Sequence, residues 1–326
     1  MTEYVELHAH SYFSLLDGAS SPEALVARTA ALEMPALALT DHDAVYGAVR
    51  FEQAARAQGI RPILGAELTL SDGTHLTLLV ETATGWRNLC WLISRAQGSA
   101  PKGEAVLPIE ALADHTKGLL ALSGCREGAV ARALRRGDQR GALAAAGRLR
   151  EWFGRDRVWI EQQHHLRPDD RALLNGLVAL AQRQGLGMVA TNNVHYADRE
   201  GHQLQDVLVA IRHLTTLDAA DPLRRPNAEY YLKDGRRLAP LFADVPKALA
   251  NTLEIAGRCT FNLRDEYGLQ DLPAFPTPPG MDAAIAEGAT DAKAQEIQLC
   301  EHSPVLHSPA LYPRRIRHQQ SQAPAC

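Results

Sequence analysis

Two histidines spaced one residue apart, His8 and His10, follow the stretch Tyr4-Val5-Glu6-Leu7. Residues two apart on a strand point to the same face. Both imidazoles therefore project together from the end of a short strand, where they suit one divalent ion. A lone His-x-His also fits two solvated histidines near a terminus. Repetition of the pattern strengthens the metal reading, because other apolar runs end in chemistry-bearing residues. Pro35 to Thr40 ends in Asp41-His42-Asp43, and Arg61 to Ala66 ends in Glu67. Leu119 to Ser123 leads to Gly124-Cys125, and Met188 to Thr191 ends in Asn192-Asn193-Val194-His195. Asp17 lies in the loop after His10, and His75 starts its apolar run. The set His8, His10, Asp17, His42, Glu67, His75, Cys125, Asn193 and His195 is too large for one ion. It suits two or three, with Glu67 as a bridge. Imidazole with carboxylate suits zinc, manganese or iron. Adjacent ions can bind a phosphate ester, activate water and stabilise the leaving oxygen.

The elements that must position these residues alternate between strand and helix. Ser21-Pro22-Glu23 reads as a helix start, running to about Leu32. Further helices are expected over Val45 to Gln58, Gly85 to Ala96, 128 to 153 with a break at Gly137, and Asp169 to Arg183. Trp86, Leu89, Trp91 and Leu92 are expected to pack inward. The strands between them show little polar alternation, as when both faces are covered. The alternation predicts a parallel sheet, and the number of units favours a closed (β/α) barrel. Chemistry in such barrels sits at the C-terminal strand ends. Every candidate fits that rule except His75. Residues 1–200 are read as the barrel and 201–280 as a helical segment. Residues 281–326 mix His, Pro, Gln and Arg without a core pattern and are read as a disordered tail.

The chain has 326 residues, 46% of them hydrophobic, with a formal net charge of -4. That balance argues against holding nucleic acid by bulk charge. No apolar run approaches the ~20 residues of a membrane span. Five scattered cysteines form no disulfide framework, so a reduced cytoplasm is the simplest location.

Several positions carry plainer readings. His42, between two aspartates, could cap the following helix, and Asp41 is read as a cap or a support for a ligand. Glu67 could be a solvated strand-end carboxylate and Cys125 a small buried apolar residue. His164 and His165 are read as pocket rim or surface, and His115, His202 and His213 as ordinary polar helix residues. Arg132, Arg135, Arg136, Arg140, Arg148 and Arg150 could touch a nucleic-acid backbone, but a solvated helix face is the preferred reading. There is no phosphate-cradling Gly-Lys-Thr loop, no dinucleotide fingerprint and no nucleophile elbow.

The motifs Leu7-His8-Ala9-His10-Ser11, Leu16-Asp17-Gly18, Ala38-Leu39-Thr40-Asp41-His42, Leu64-Gly65-Ala66-Glu67, His75-Leu76-Thr77-Leu78-Leu79, Leu122-Ser123-Gly124-Cys125 and Ala190-Thr191-Asn192-Asn193-Val194-His195-Tyr196 together carry a resemblance. Their order is similar to the PHP (polymerase and histidinol phosphatase) domain of bacterial C-family DNA polymerases, the DNA polymerase III alpha subunits. Leu204-Gln205-Asp206-Val207-Leu208, Glu229-Tyr230-Tyr231-Leu232-Lys233 and the stretch from Ala250 to Cys259 extend the likeness, which covers residues 1 to about 280. It is closest to the error-prone branch, whose members serve DNA replication and repair.

The resemblance implies a distorted seven-stranded (β/α) barrel and three metal sites. His8, His10, Glu67 and Asn193 would hold the first ion; Asp17, His42 and His195 the second; Glu67, His75 and Cys125 the third. Asp17, His42, Glu67 and His195 would carry catalysis. The implied function is a metal-dependent phosphoesterase, acting as a 3′–5′ exonuclease on DNA. Polymerase domains or replication and repair proteins would be further partners, and no membrane is expected.

Two departures stand out. The family usually has Asp where this chain has Asn193, which brings no charge to a cation site. No set of palm carboxylates follows residue 280, so a shortened polymerase without its catalytic core is expected. The alternatives are a catalytically weak structural module or relic of a polymerase, and a free-standing phosphatase of small molecules.

Overall fold

The structure is a computed structural model that describes residues 3–101 and 103–267. The tail expected over 281–326 lies outside the described residues. In chain order the elements are α1 (Pro22–Ala31), β1 (Ala36–Leu39), α2 (Ala48–Ala57), β2 (Arg61–Thr69), β3 (His75–Val80), α3 (Ala83–Gly98), β4 (Leu119–Leu122) and α4 (Ala129–Arg135). There follow α5 (Gln139–Phe153), β5 (Val158–Gln162), α6 (Asp170–Gln184), β6 (Gly187–Ala190), α7 (His202–Arg212), α8 (Gly235–Leu238), α9 (Pro246–Arg258) and α10 (Leu263–Tyr267).

Local chemistry explains several boundaries. The Ser21 hydroxyl accepts from the Ala24 N–H at 3.1 Å and Pro22 opens α1. The break between α4 and α5 falls at Gly137, whose φ of +76° suits glycine. Asp138 then caps α5 by accepting from Gly141 N–H at 2.8 Å. Trp91 departs from expectation. It is 44% exposed and stacks on His115 at 3.7 Å between ring centroids, while Leu89 and Leu92 are buried.

The six strands form one sheet in sequence order. The β1–β2, β4–β5 and β5–β6 pairs are parallel, as expected. β3 is antiparallel to both neighbours. Only residues 70–74 separate β2 from β3, and a parallel crossover needs about ten or more residues, so this connection must be a hairpin. The reversal resolves the anomaly of His75. The start of an antiparallel strand lies at the same end of the sheet as the C-termini of its neighbours. His75 pairs with Thr69, and Thr77 with Glu67.

The N-terminal segment, expected as a strand, is extended but tied only by single bridges. Glu6 bridges Leu37 beside β1, and Ala9 bridges Val194 just past β6. Val194 N–H donates to the His8 carbonyl at 2.9 Å and His10 N–H to the Val194 carbonyl at 2.8 Å. The segment thus occupies a seventh position and joins the two edges of the curled sheet.

Inside the curl the side chains form two layers. Val5, Leu7, Ile63, Leu79, Leu120, Leu122, Trp159 and Val189 make an apolar layer. Ile255 and Ala256 of α9, with Cys259 just past its end, pack into this cluster and close it from below. Asn251 Nδ2 donates to the Met188 carbonyl at 2.7 Å, and Val5 N–H to Thr252 Oγ1 at 3.1 Å, so α9 is fastened to the barrel. Further along the same strand faces come Glu67, four residues past Ile63, and Thr77, Glu161 and Thr191, each two residues from Leu79, Trp159 and Val189, so the polar layer lies above the apolar one.

Because Ile255 is fully buried in that plug, Ile255→Ala should lower the unfolding free energy by about 2–4 kcal/mol. A urea titration showing an unchanged midpoint would contradict this role for α9.

Candidate metal centre

Glu67 is the centre of the polar layer. It is 1% exposed, and four imidazoles approach its carboxylate. His8 Nε2 and His10 Nε2 lie 3.5 and 3.4 Å from Oε2, His42 Nδ1 lies 3.2 Å from Oε2, and His75 Nδ1 lies 3.2 Å from Oε1. Burial opposes the charge, but His8, His75 and His42 hold the carboxyl well below its usual range. Donor atoms of His8, His10 and Glu67 lie within 4.8 Å of one another, as do those of His42, Glu67 and His75. Two candidate loci therefore share Glu67.

The first locus passes a test of fit. His8 Nε2 and His10 Nε2 are buried and have no hydrogen-bond partner, although both face the Glu67 carboxylate. Unpaired buried polar atoms are costly. Burial, followed by His42 and His195, drives the His10 pKa well down, so its ring is neutral and offers a lone pair. Burial opposes a charge on His8, but Glu161 and Glu67 raise its pKa well above the usual value in the absence of an ion; two partnerless imidazole nitrogens facing a buried carboxylate are a donor set that fits a cation.

The second layer of support is built in. Glu161 Oε1 lies 2.7 Å from His8 Nδ1, which fixes the ring with Nε2 toward Glu67. Glu161 is itself held by Thr191 Oγ1 at 2.5 Å and Gln163 Nε2 at 3.0 Å. Asp41 does not cap a helix. It accepts from Ser11 N–H at 2.7 Å, Ser11 Oγ at 2.8 Å and Ser14 Oγ at 2.7 Å, ordering the loop beside His10. Burial pushes its pKa up to about 6 against those hydrogen bonds. α2 starts only at Ala48, so His42 is free of capping and turns to Glu67 and Asp17.

Around the remaining candidates the donors also converge. Asp17 Oδ2 lies 3.0 Å from His42 Nε2 and 3.4 Å from His195 Nδ1. Cys125 Sγ lies 3.7 Å from His75 Nδ1, and burial, followed by Glu67, keeps its thiol protonated. Gly124 places Cys125 there with a φ of +89°, and a side chain on Gly124 would strike the His75 carbonyl. Asn193, expected beside His8 and His10, instead accepts from His195 Nε2 at 3.0 Å through its amide oxygen. Its φ of +45° is one that Asn tolerates better than most residues. Asp17, His42, Glu67, His75, Cys125, Asn193 and His195 line one cavity of about 410 Å³.

Two further expectations change. His165 is neither rim nor surface. It is fully buried, stacks on Tyr230 at 3.9 Å between centroids and contacts the Asn192 carbonyl at 2.8 Å. Three of the arginines read as a solvated face are tied to neighbours. Arg132 donates to the Gly73 carbonyl at 2.8 Å, Arg135 reaches Glu127 at 3.2 Å, and Arg150 donates to the Gln184 carbonyl at 3.1 Å. Sequence reasoning missed Glu161 and Arg225. Glu161 lies next to the end of β5 as Glu67 nears the end of β2, a signal that was available. Arg225 sits in a loop with no periodicity to mark its direction, yet it reaches Asp17 at 3.1 Å.

Residues 6–165 match the family model described as the PHP domain. The chain carries a PHP domain. Over 297 residues it is 41% identical to an error-prone DNA polymerase of Symbiobacterium thermophilum, covering 86% of this chain and 27% of that protein. It is 39% identical over 289 residues to an error-prone DNA polymerase of Mycobacterium tuberculosis, covering 85% and 26%. It is 38% identical over 282 residues to the DNA polymerase III subunit alpha of Escherichia coli, covering 84% and 24%. The chain thus spans about a quarter of the length of these relatives. The similarity runs past the PHP match into the segment that includes α7, α8 and α9.

Glu67 bridges both loci, so Glu67→Gln should release at least two ions; elemental analysis finding the same metal content in that variant would refute the shared bridge. Glu161→Gln should weaken binding at the His8 locus by about 10–100-fold. Isothermal titration with zinc would measure it, and an unchanged affinity would show that Glu161 only packs.

Proposed function

We propose that this PHP domain is a metal-dependent phosphoesterase that trims a DNA 3′ end as a 3′–5′ exonuclease. One observation carries the reading: two buried imidazole nitrogens without hydrogen-bond partners, on His8 and His10, converge on the Glu67 carboxylate at the floor of a 410 Å³ cavity. His8, His10 and Glu67 would hold one ion. Glu67, His75 and Cys125 would hold another, and Asp17, His42 and His195 a third. Zinc, manganese and iron fit this donor set. When bound, such ions supply Lewis-acid charge and an activated water for hydrolysis.

The chain's own residues prepare that chemistry. Glu161 and Asp41 hold the His8 ring and the His10 loop in place. Glu67 keeps its charge in a water-poor site, where electrostatic effects on a phosphate are strong. Burial and then Arg225 depress the His195 pKa, which favours the neutral ring that can offer a lone pair. Arg212 and Arg225 line the cavity with positive charge suited to a phosphodiester.

DNA is the partner favoured by the polymerase relatives, with the remaining polymerase domains or replication and repair proteins as others. The cytoplasm is the compartment this reading implies. Among the described residues, no helix is long and apolar enough to cross a membrane. A second reading, a structural module with a weakened metal site, draws on Asn193, whose neutral amide is engaged by His195.

Incubation of metal-loaded protein with 5′-labelled single-stranded DNA should give stepwise shortening that a chelator abolishes. Bound ions without any cleavage would favour the structural module. Asn193→Asp should raise the cleavage rate, about tenfold if one charged contact to the centre is restored; an equal or lower rate would show that position 193 does not limit the reaction.

A further inference from the structure

Arg225 lies beyond the PHP match, on the segment between α7 and α8, yet its guanidinium enters the cluster. Nη2 stands 3.1 and 3.3 Å from the two carboxylate oxygens of Asp17. It also stands 2.9 Å from Nδ1 and 2.6 Å from Nε2 of His195. A neutral imidazole has one lone pair, so one ring contact is a hydrogen bond and the other is proximity. The guanidinium plane rests over the Tyr230 ring at 4.7 Å, which orients it. The adjacent Arg224 serves elsewhere, paired with Asp206 at 2.9 Å and Asp221 at 2.5 Å.

Arg225 therefore uses the electron pairs that Asp17 and His195 would offer an ion. A guanidinium stays protonated at any accessible pH, so it cannot leave by losing a proton. A divalent ion would have to lie about 2 Å from the same atoms, against strong like-charge repulsion. The two cations exclude each other. We propose that Arg225 competes with a divalent ion for the Asp17–His42–His195 locus, and that loading this locus expels its guanidinium toward the cavity.

This rests on the reading of Asp17 and His195 as ion donors. It orders the loading. Among the described residues, Arg225 makes no hydrogen bond or ion pair with His8, His10 or Glu67, so the first locus binds without this opposition. The Asp17 locus must displace an internal cation and is the weaker of the two. Once displaced, Arg225 has no carboxylate partner and presents free donors where an anionic substrate group would lie.

The test is a calorimetric titration of chelator-stripped protein with Mn²⁺, comparing wild type, Arg225→Ala, Arg224→Ala and Asp17→Asn. Asp17→Asn should lose the weaker class of sites, which assigns it. Arg225→Ala should tighten that class by at least about tenfold, the worth of a charge-assisted hydrogen bond, and leave the tighter class unchanged. Arg224→Ala removes the same charge next door and should change neither class. Ethylguanidinium added to Arg225→Ala should weaken the class again in competition with Mn²⁺. Equal affinities in wild type and Arg225→Ala, or equal tightening in Arg224→Ala, would overturn the competition while leaving the ion-donor reading in place. Absence of Mn²⁺ binding in all four proteins would overturn both.

Discussion

A carboxylate in a protein interior must be paired or give up its charge. Glu67 keeps its charge because His8, His75 and His42 hold its carboxyl down, and with His10 they surround it within 3.2–3.5 Å. Those imidazoles come from the N-terminal segment, the loop after β1 and the start of β3. One side chain thereby sets how four separate parts of the chain approach each other. The rest of the barrel mouth follows from this. Glu161 aims His8, the Asp41 loop surrounds His10, and Asp17 meets the far side of His42. The arrangement spends stability on function, since a barrel top filled with apolar side chains would avoid the desolvation of these groups.

The period of two along each strand joins this polar floor to the apolar plug beneath it. Ile63 and Glu67 lie on one face of β2, and Leu79, Thr77 and His75 on one face of β3. A register slip of one residue would turn Glu67 into the outer helix layer and Leu68 into the cavity. The core and the candidate site are therefore specified by the same alternation. This is why α9, distant in sequence, matters to the site: by filling the bottom of the curl it keeps the strands at the spacing their upper ends require.

Much of this was legible in the sequence. The strand-end positions of Glu67, His42 and His195 followed from apolar runs and their terminators, and the cluster assembles where those runs end. What escaped depended on direction and on distant contacts. The reversal of β3 was implied by its five-residue link to β2, but alternation alone suggested a uniform parallel sheet. His165 reads as an exposed strand-end residue until Tyr230 covers it. Trp91 lies on an apolar-looking face of α3, but His115 supplies its partner near the surface. Arg225 could not be placed at all, because a loop between helices has no period from which to infer where its side chain points.

The seventh strand position has a consequence for synthesis. His8 and His10 leave the ribosome before the strands of the barrel, yet their segment bridges Leu37 and Val194 and donates from Val5 N–H to the Thr252 hydroxyl. During translation the segment can meet β1 early, but its other edge must wait for about 185 more residues, and the plug under Val5 for still more. The growing chain thus carries an unpaired apolar edge through most of its synthesis. The His8–His10 pair cannot be set against a completed polar layer until the last strand closes. A segment made before the barrel thus completes the candidate centre last, so its donor set is assembled at the final stage of folding rather than on a preformed scaffold.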